Sequence, residues 1–234
     1  MSRVFDHLLD NPFWHALTGP QAAWAEGSGG ARRYAQGVAP FAGVQDTSHR
    51  AWRDLRVLAA PGEGLALFGP EPVAVPGELV TVSKFEVVQM VLETLAHAPE
   101  IDFIPLGFIS LGPQDAASMR DLARLTRPGP FRARTVELGG YVGVIEGGGL
   151  LAMAGERAHL PGFTEISAVC VRPEARGRGL AAGLVAAVAD RIQERGETPF
   201  LHVDPANTAA LRLYAKLGFR PRATLHGVAL RREE

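Results

Sequence analysis

The stretch AVCVRPEARGRGLAAGLVAAVADRIQERG, residues 168–196, constrains the fold of this chain more than any other. An apolar strand runs into a turn where Arg176 and Arg178 alternate with Gly177 and Gly179. Leu180, Leu184, Val188 and Ile192 then recur every four residues, which draws one apolar stripe along a helix that Gly196 can end. A strand that turns into a long one-sided helix must bury that stripe against a sheet, so the chain is expected to build a mixed α/β layer.

The neighbouring sequence supplies the rest of the layer. A helix is expected over residues 115–126, stopped by Pro128 and Gly129 and preceded by an extended piece from Ile101 onward. Residues 141–145 and 150–157 flank three glycines and read as a hairpin, and Pro161-Gly162 turns the chain into a strand at 163–171. After the arginine-glycine turn and its helix come a short strand at 200–203, a helix over 208–217 with Asn207 as N-cap, Gly218 as its stop, and a last strand at 223–230. The first hundred residues say less. They suggest a helix carrying Trp52, Leu55 and Leu58, strands at 65–68 and 85–93, and loops near Gly27–Gly30 and 69–77. Two regions are therefore expected, 1–100 as an α/β region of unknown role and 101–234 as the chemical domain.

Composition excludes several classes. With 24 Lys and Arg against 25 Asp and Glu, there is no general attraction to nucleic acid or to an anionic membrane. No apolar run is long enough to span a bilayer and the start lacks the order of a secretion signal, so a soluble, cytoplasmic protein is expected. The lone cysteine, Cys170, allows no internal disulfide, and no Cys/His spacing suggests a metal. Charge is unevenly spread: residues 1–100 hold 7 basic and 11 acidic side chains, residues 165–234 hold 11 and 8. An anionic ligand suits the C-terminal end.

The turn itself says which anion. At a strand-to-helix junction several backbone N–H groups lack partners and the helix dipole adds positive charge. Glycines let a phosphate approach those groups, and arginines add full charges beside it, so a pyrophosphate fits. Gly177, Gly179 and Ala182 also spell the dinucleotide pattern G-x-G-x-x-A. Against NAD stand the residues between strand and first glycine, and the 30 residues after Asp204, too few for the remaining strand-helix units.

The run VCVRPEARGRGLA resembles the acetyl-CoA loop of the GCN5-related N-acetyltransferases (GNAT), R/Q-x-x-G-x-G/A, with Arg176, Gly179 and Ala181 in the fixed places. HVDPANTAALRLYAKLGFRP is similar to the second half of that family's cofactor site, an Asn followed by a helix ending Tyr-x-x-x-Gly-Phe, here Asn207, Tyr214, Gly218 and Phe219. The resemblance spans roughly residues 102–234 and is closest to a branch of predicted acetyltransferases that shares the strand FTEISAVCV and the block LTRPGPFRARTVELGGYVGV.

The resemblance implies a GNAT acyl-CoA N-acyltransferase fold, with residues 1–100 a degenerate half of the same fold. It implies acetyl-CoA as co-substrate without a metal, and a small-molecule or peptide amine as acceptor of the acetyl group by direct attack in a ternary complex; a homodimer is a further expectation. The backbone of Arg176, Gly177, Arg178, Gly179, Leu180 and Ala181 would hold the pyrophosphate, and the edge of Val169, Cys170 and Val171 would pair with the pantetheine arm. The N–H of Val169 would polarise the thioester carbonyl. Asn207, Leu211 and Tyr214 share a helix face toward the cofactor, and Tyr214 would act as general acid. Glu165 is the candidate base, expected on the face that carries Val169; a carboxylate facing a lysine-like amine is mismatched by about 6 units, so it must be raised by burial, relayed by water, or face an amine of lowered pKa. The other class of function is an acyl-CoA-binding or sensing module without chemistry.

Overall fold

The computed structural model describes residues 7–60, 62–76, 79–93 and 107–232. Helix α1 (Pro12–Leu17) starts on a proline, whose fixed φ suits the first helical position, and buries Phe13, Ala16 and Leu17. Strands β1 (Ala25–Glu26), β2 (Ala31–Tyr34) and β3 (Ala42–Val44) pair antiparallel in that order. Ser48 caps helix α2 (His49–Leu58), which buries Trp52 and Leu55. Next come β4 (Gly64–Gly69), β5 (Leu79–Leu92), β6 (Ile109–Leu111) and helix α3 (Ala116–Thr126). The hairpin β7 (Tyr141–Glu146) and β8 (Gly149–Leu160) leads to β9 (Phe163–Val171), helix α4 (Leu180–Glu194), β10 (Thr198–Val203), helix α5 (Thr208–Lys216) and β11 (Phe219–Arg232).

From β6 onward each expected element is present, most within two residues of its expected bounds. The first sixty residues hold more than expected: α1 and the small sheet carry no long periodic pattern, since strands of two to four residues are too short to show one. Strand β5 begins at Leu79 rather than 85, and β11 runs from Phe219 to Arg232, longer at both ends. Part of the expected extended piece, 101–106, lies outside the described residues. No helix among the described residues is long and apolar enough to cross a membrane.

Two compact units share the chain without being consecutive segments. The first takes residues up to Val88, Ala158–Pro161 and those from Ala223; the second takes Gln89–Arg157 and Gly162–Arg222. In the first, β11 pairs antiparallel with β4 from His226↔Gly69 to Arg231↔Gly64. Its core includes Phe13 stacked on Phe41 at 4.2 Å and Phe68 packed against Phe13, Phe41 and Phe85. Aromatic pairs of this kind contribute about 1 kcal/mol each beyond their area.

In the second unit the strand order is β6-β7-β8-β9-β10, with the end of β5 beside β10. Tyr141 lies over Gly155, its registered partner; a Cβ at Gly155 would sit 2.2–2.5 Å from the ring, so no other residue fits there. Helix α4 buries the expected stripe of Leu180, Leu184, Val188 and Ile192. Helix α3 packs Met119, Leu122 and Ala123 into one cluster with Tyr141, Met153, Ala168 and Cys170.

Candidate active site

Strands β9 and β10 run parallel, but their register covers only Thr198↔Phe163, Pro199↔Thr164 and Phe200↔Glu165. Strand β9 continues to Val171 and β10 to Val203 without further pairing to each other, so a wedge opens beyond Glu165 and Phe200. Within this free stretch of β9, Ala168 has φ 54, a left-handed conformation that costs a residue with a Cβ about 1–2 kcal/mol.

Ala168 also changes which side chains share a face. Ala168 and Cys170 pack with Met153, and Glu165 pairs with Arg157, four residues from Met153 on β8 and so on the same face. Glu165 and Cys170 are an odd interval apart, which unbroken alternation forbids; the left-handed residue inserts a bulge between them. Glu165 and Val169, expected on one face, therefore lie on opposite faces. Cys170 points into the core, where burial pushes its thiol up to about 11 despite a hydrogen bond with Thr126.

At the end of β9 a short 3-10 turn, Pro173–Ala175, leads to Arg176. Gly177 (φ 78) and Gly179 (φ 75) are left-handed, and Gly179 is the N-cap of α4 without a side-chain cap. Nothing crowds a Cβ at Gly177, so backbone angle and not space demands glycine there. Among the described residues the N–H groups of 177–182 make no hydrogen bond, and the first α4 bond of this kind is Gly183 N to Gly179 O at 3.1 Å. Arg178 pairs with Glu146 at 2.7 Å, while Arg176 is exposed and makes no ion pair among the described residues.

Asn207 caps α5, accepting from Ala210 N at 3.1 Å, and is exposed. Leu211 is half-buried one turn on. Tyr214 is buried with its ring edge-on to Phe219 at 6.0 Å, and its hydroxyl makes no hydrogen bond among the described residues. Burial pushes this phenol up to about 12, so it is fully protonated at neutral pH.

Glu165 is fully buried. Arg157 Nε donates to its Oε2 at 2.8 Å, a second Arg157 nitrogen donates to Oε1, and His202 Nδ1 lies 2.7 Å from Oε1. Burial alone would raise this carboxyl, but the Arg157 charge and the hydrogen bonds from Arg157 and His202 overcome it and hold the group down at about 2. Of the three routes open to Glu165 as a base, the one that needs a raised pKa is opposed by these partners.

The chain of partners extends further. Arg222 can only donate, and it donates to Gln89 Oε1 at 2.7 Å, which turns Gln89 Nε2 toward His202 Nε2 at 3.0 Å. That nitrogen must accept, so the His202 proton sits on Nδ1 and points at Glu165. Gln89 is fully buried and the His202 side chain is 3% exposed. Sequence reasoning missed Arg157, His202, Gln89 and Arg222; for the first three the available signal was a polar residue at a buried strand position, in GERAHL, FLHV and VVQMV. Among the described residues no group of three or more His, Cys, Asp or Glu could hold a metal ion.

Comparison with known proteins agrees with this geometry. The family profile described as FR47-like protein matches residues 141–226. A protein from Novosphingobium aromaticivorans, assigned as an acetyltransferase of the GNAT family, is 38% identical with a TM-score of 0.88, over 98% of this chain and all (100%) of that one. A GCN5-related N-acetyltransferase-like protein from Streptococcus suis shares the fold at 17% identity and a TM-score of 0.61, over 94% of each chain. Mycothiol acetyltransferase from Thermobispora bispora is 48% identical over 56 residues, which is 24% of this chain and 19% of that protein, about a fifth of its length. The near-complete match at 38% identity, together with the β9 wedge and the glycine turn before α4, leads to one conclusion: this chain belongs to the GNAT family.

Proposed function

We propose that the chain is an acyltransferase that moves the acetyl group of acetyl-CoA to a primary amine by direct attack in a ternary complex. The observation that carries this reading is the end of the β9–β10 register at Glu165↔Phe200. It leaves one edge of β9 without a strand partner, leading to a turn of unpaired N–H groups. An extended, amide-bearing arm with a pyrophosphate at one end and a thioester at the other has the shape and chemistry for that edge.

In this reading the N–H groups of residues 177–181 receive the pyrophosphate, with Arg176 and Arg178 beside it. Val169 to Val171 pair with the pantetheine arm. The bulge at Ala168 turns the next peptide out of the ladder, and the Val169 N–H donates to the thioester oxygen as negative charge develops there. The amine nitrogen forms its bond to the carbonyl carbon, the carbon–sulfur bond breaks, the thiolate leaves, and the nitrogen gives its second proton to solvent to become the amide. Asn207, Leu211 and Tyr214 line the leaving-group side. Complete proton transfer from a phenol at about 12 to a thiolate whose thiol has a pKa of about 8.5 is uphill by about 3.5 units, roughly 5 kcal/mol. Tyr214 therefore acts mainly as a hydrogen-bond donor to the developing thiolate, and solvent completes the protonation.

The ammonium proton leaves through water in the wedge. Glu165 acts as a positioning residue: it anchors Arg157 and His202 at the point where β9 and β10 part. The compartment is cytoplasmic, where acetyl-CoA and amines meet.

The test is thiol release from acetyl-CoA across a panel of amines, peptides and alcohols, alongside calorimetry with CoA. Release with an amine and loss of CoA binding in Gly179→Glu are expected. Tight CoA binding with no release for any acceptor would make the chain a sensing module instead, and no binding at millimolar CoA would remove both readings.

A further inference from the structure

Among the described residues two other than glycine have a left-handed backbone, Ala168 and Arg127. Arg127 (φ 52, ψ 56) is the C-cap of α3, a place where glycine sits without strain. Its guanidinium makes no hydrogen bond or ion pair among the described residues, so no side-chain partner holds the cation there. Backbone strain of this kind clusters at ligand clamps and switch regions.

Arg127 lines a cleft of about 390 Å³ with Arg120, Arg124, Arg132 and Phe131. Arg124 is partly neutralised by Asp121 at 3.0 Å, whereas Arg120 Nε donates to its own helix, at Ala116 O. Arg120 and Arg124 stand one turn apart and repel each other. The pull of a helix C-terminus on cations accounts for the charges of Arg124 and Arg127; it accounts neither for Arg120 in mid-helix nor for a residue other than glycine at the left-handed position 127. The floor is fixed: Arg132 N donates to Thr135 Oγ1 at 2.7 Å, and Phe131 meets Tyr141 edge-on at 5.8 Å. Tyr141 opens β7, two strands from β9, a lateral distance of about 10 Å at ordinary strand spacing.

We infer that this cleft binds an anionic group, carboxylate or phosphate, carried by the acceptor, so that the substrate is an amine with a negative charge several bonds away. Guanidinium forks match both groups in geometry. The same cations repel polyamines, which carry positive charge where the cleft demands negative. The inference rests on the acyl-transfer reading and narrows its acceptor.

The experiment compares 6-aminohexanoate with its amide as acceptors for the full chain and for Arg127→Gly. Glycine suits the left-handed position, so the variant is expected to melt no lower than the parent, which separates function from folding. The acid should be used at least about tenfold better than the amide in kcat/KM, and Arg127→Gly should lose about tenfold for the acid alone, with the acetyl-CoA KM unchanged. Equal use of acid and amide overturns the inference, as does an equal effect of the variant on both. A raised acetyl-CoA KM with acceptor selectivity intact would give the cleft to a cofactor phosphate, and also overturns it. If no amine releases thiol, the acyl-transfer reading fails separately. Titration with inorganic phosphate then decides: a binding heat that Arg127→Gly diminishes supports an anion site, and an identical heat in both proteins ends it.

Discussion

His202 Nδ1 stands 2.7 Å from Glu165 Oε1, and His202 lies two residues past Phe200, the last β10 residue registered with β9. Side chains thus take over from the backbone ladder at the point where the ladder stops. Without this clip, the separation of the strands would be set only by whatever lies between them.

Replacing one member of a buried ion pair leaves the other uncompensated. Glu165→Gln is expected to lose about 3–5 kcal/mol in urea unfolding, because Arg157 stays buried. Whatever activity survives should keep the parent's pH profile. A stable variant that had lost the profile's acidic limb would return Glu165 to the role of direct base.

Acid should unfold the second unit through the same group. Its carboxyl is held at about 2 against an ordinary value of 4.5, so its contribution is complete above pH 4.5 and disappears as pH falls toward 2. The difference corresponds to a loss of about 3 kcal/mol. Stability measured from pH 6 down to 2 should fall mainly inside that window, and in Glu165→Gln the fall should be smaller.

Tyr214→Phe is expected to lower kcat by about tenfold to a hundredfold while the acetyl-CoA KM stays near that of the parent. Stability should not drop, since the hydroxyl makes no hydrogen bond among the described residues. An unchanged kcat, with chemistry shown to limit turnover, rules out the assignment.

The two turn glycines should respond differently. Gly177→Ala meets no neighbouring atom and should cost only backbone strain, about 1 kcal/mol, leaving CoA binding measurable. Gly179→Glu places an anion at the start of α4 and should abolish the thermal shift produced by CoA. Retained binding in Gly179→Glu would dislodge the pyrophosphate from this turn.

Ala168→Gly relieves a left-handed residue and should raise stability by up to about 1 kcal/mol with transfer largely intact. Ala168→Val should lower both, because a β-branched side chain resists that conformation. If valine were tolerated at full rate, the bulge would have no part in orienting the thioester.

What could be read in advance follows from the range of the forces involved. The α4 stripe, the glycine turn and the Asn207 cap are local, and their spacing in sequence mirrors their spacing in space. The Ala168 bulge is not local: neither alanine nor its neighbours favours a left-handed backbone, and Ala168 packs with residues of β7, β8 and α3 that lie far off in sequence. Glu165 stood out by position, but its partners come from β8, β10, β5 and β11, so its low pKa could not be foreseen from FTEIS.

The pairing of β11 with β4 joins residues more than 150 positions apart, and six consecutive couples hold it. On the ribosome, then, Gly64–Gly69 emerges long before the segment that covers it, Ala223–Arg232. The unit made largely from the beginning of the chain closes late in synthesis, and until then the nascent protein carries a bare apolar strand, LALF, that chaperones would have to shield.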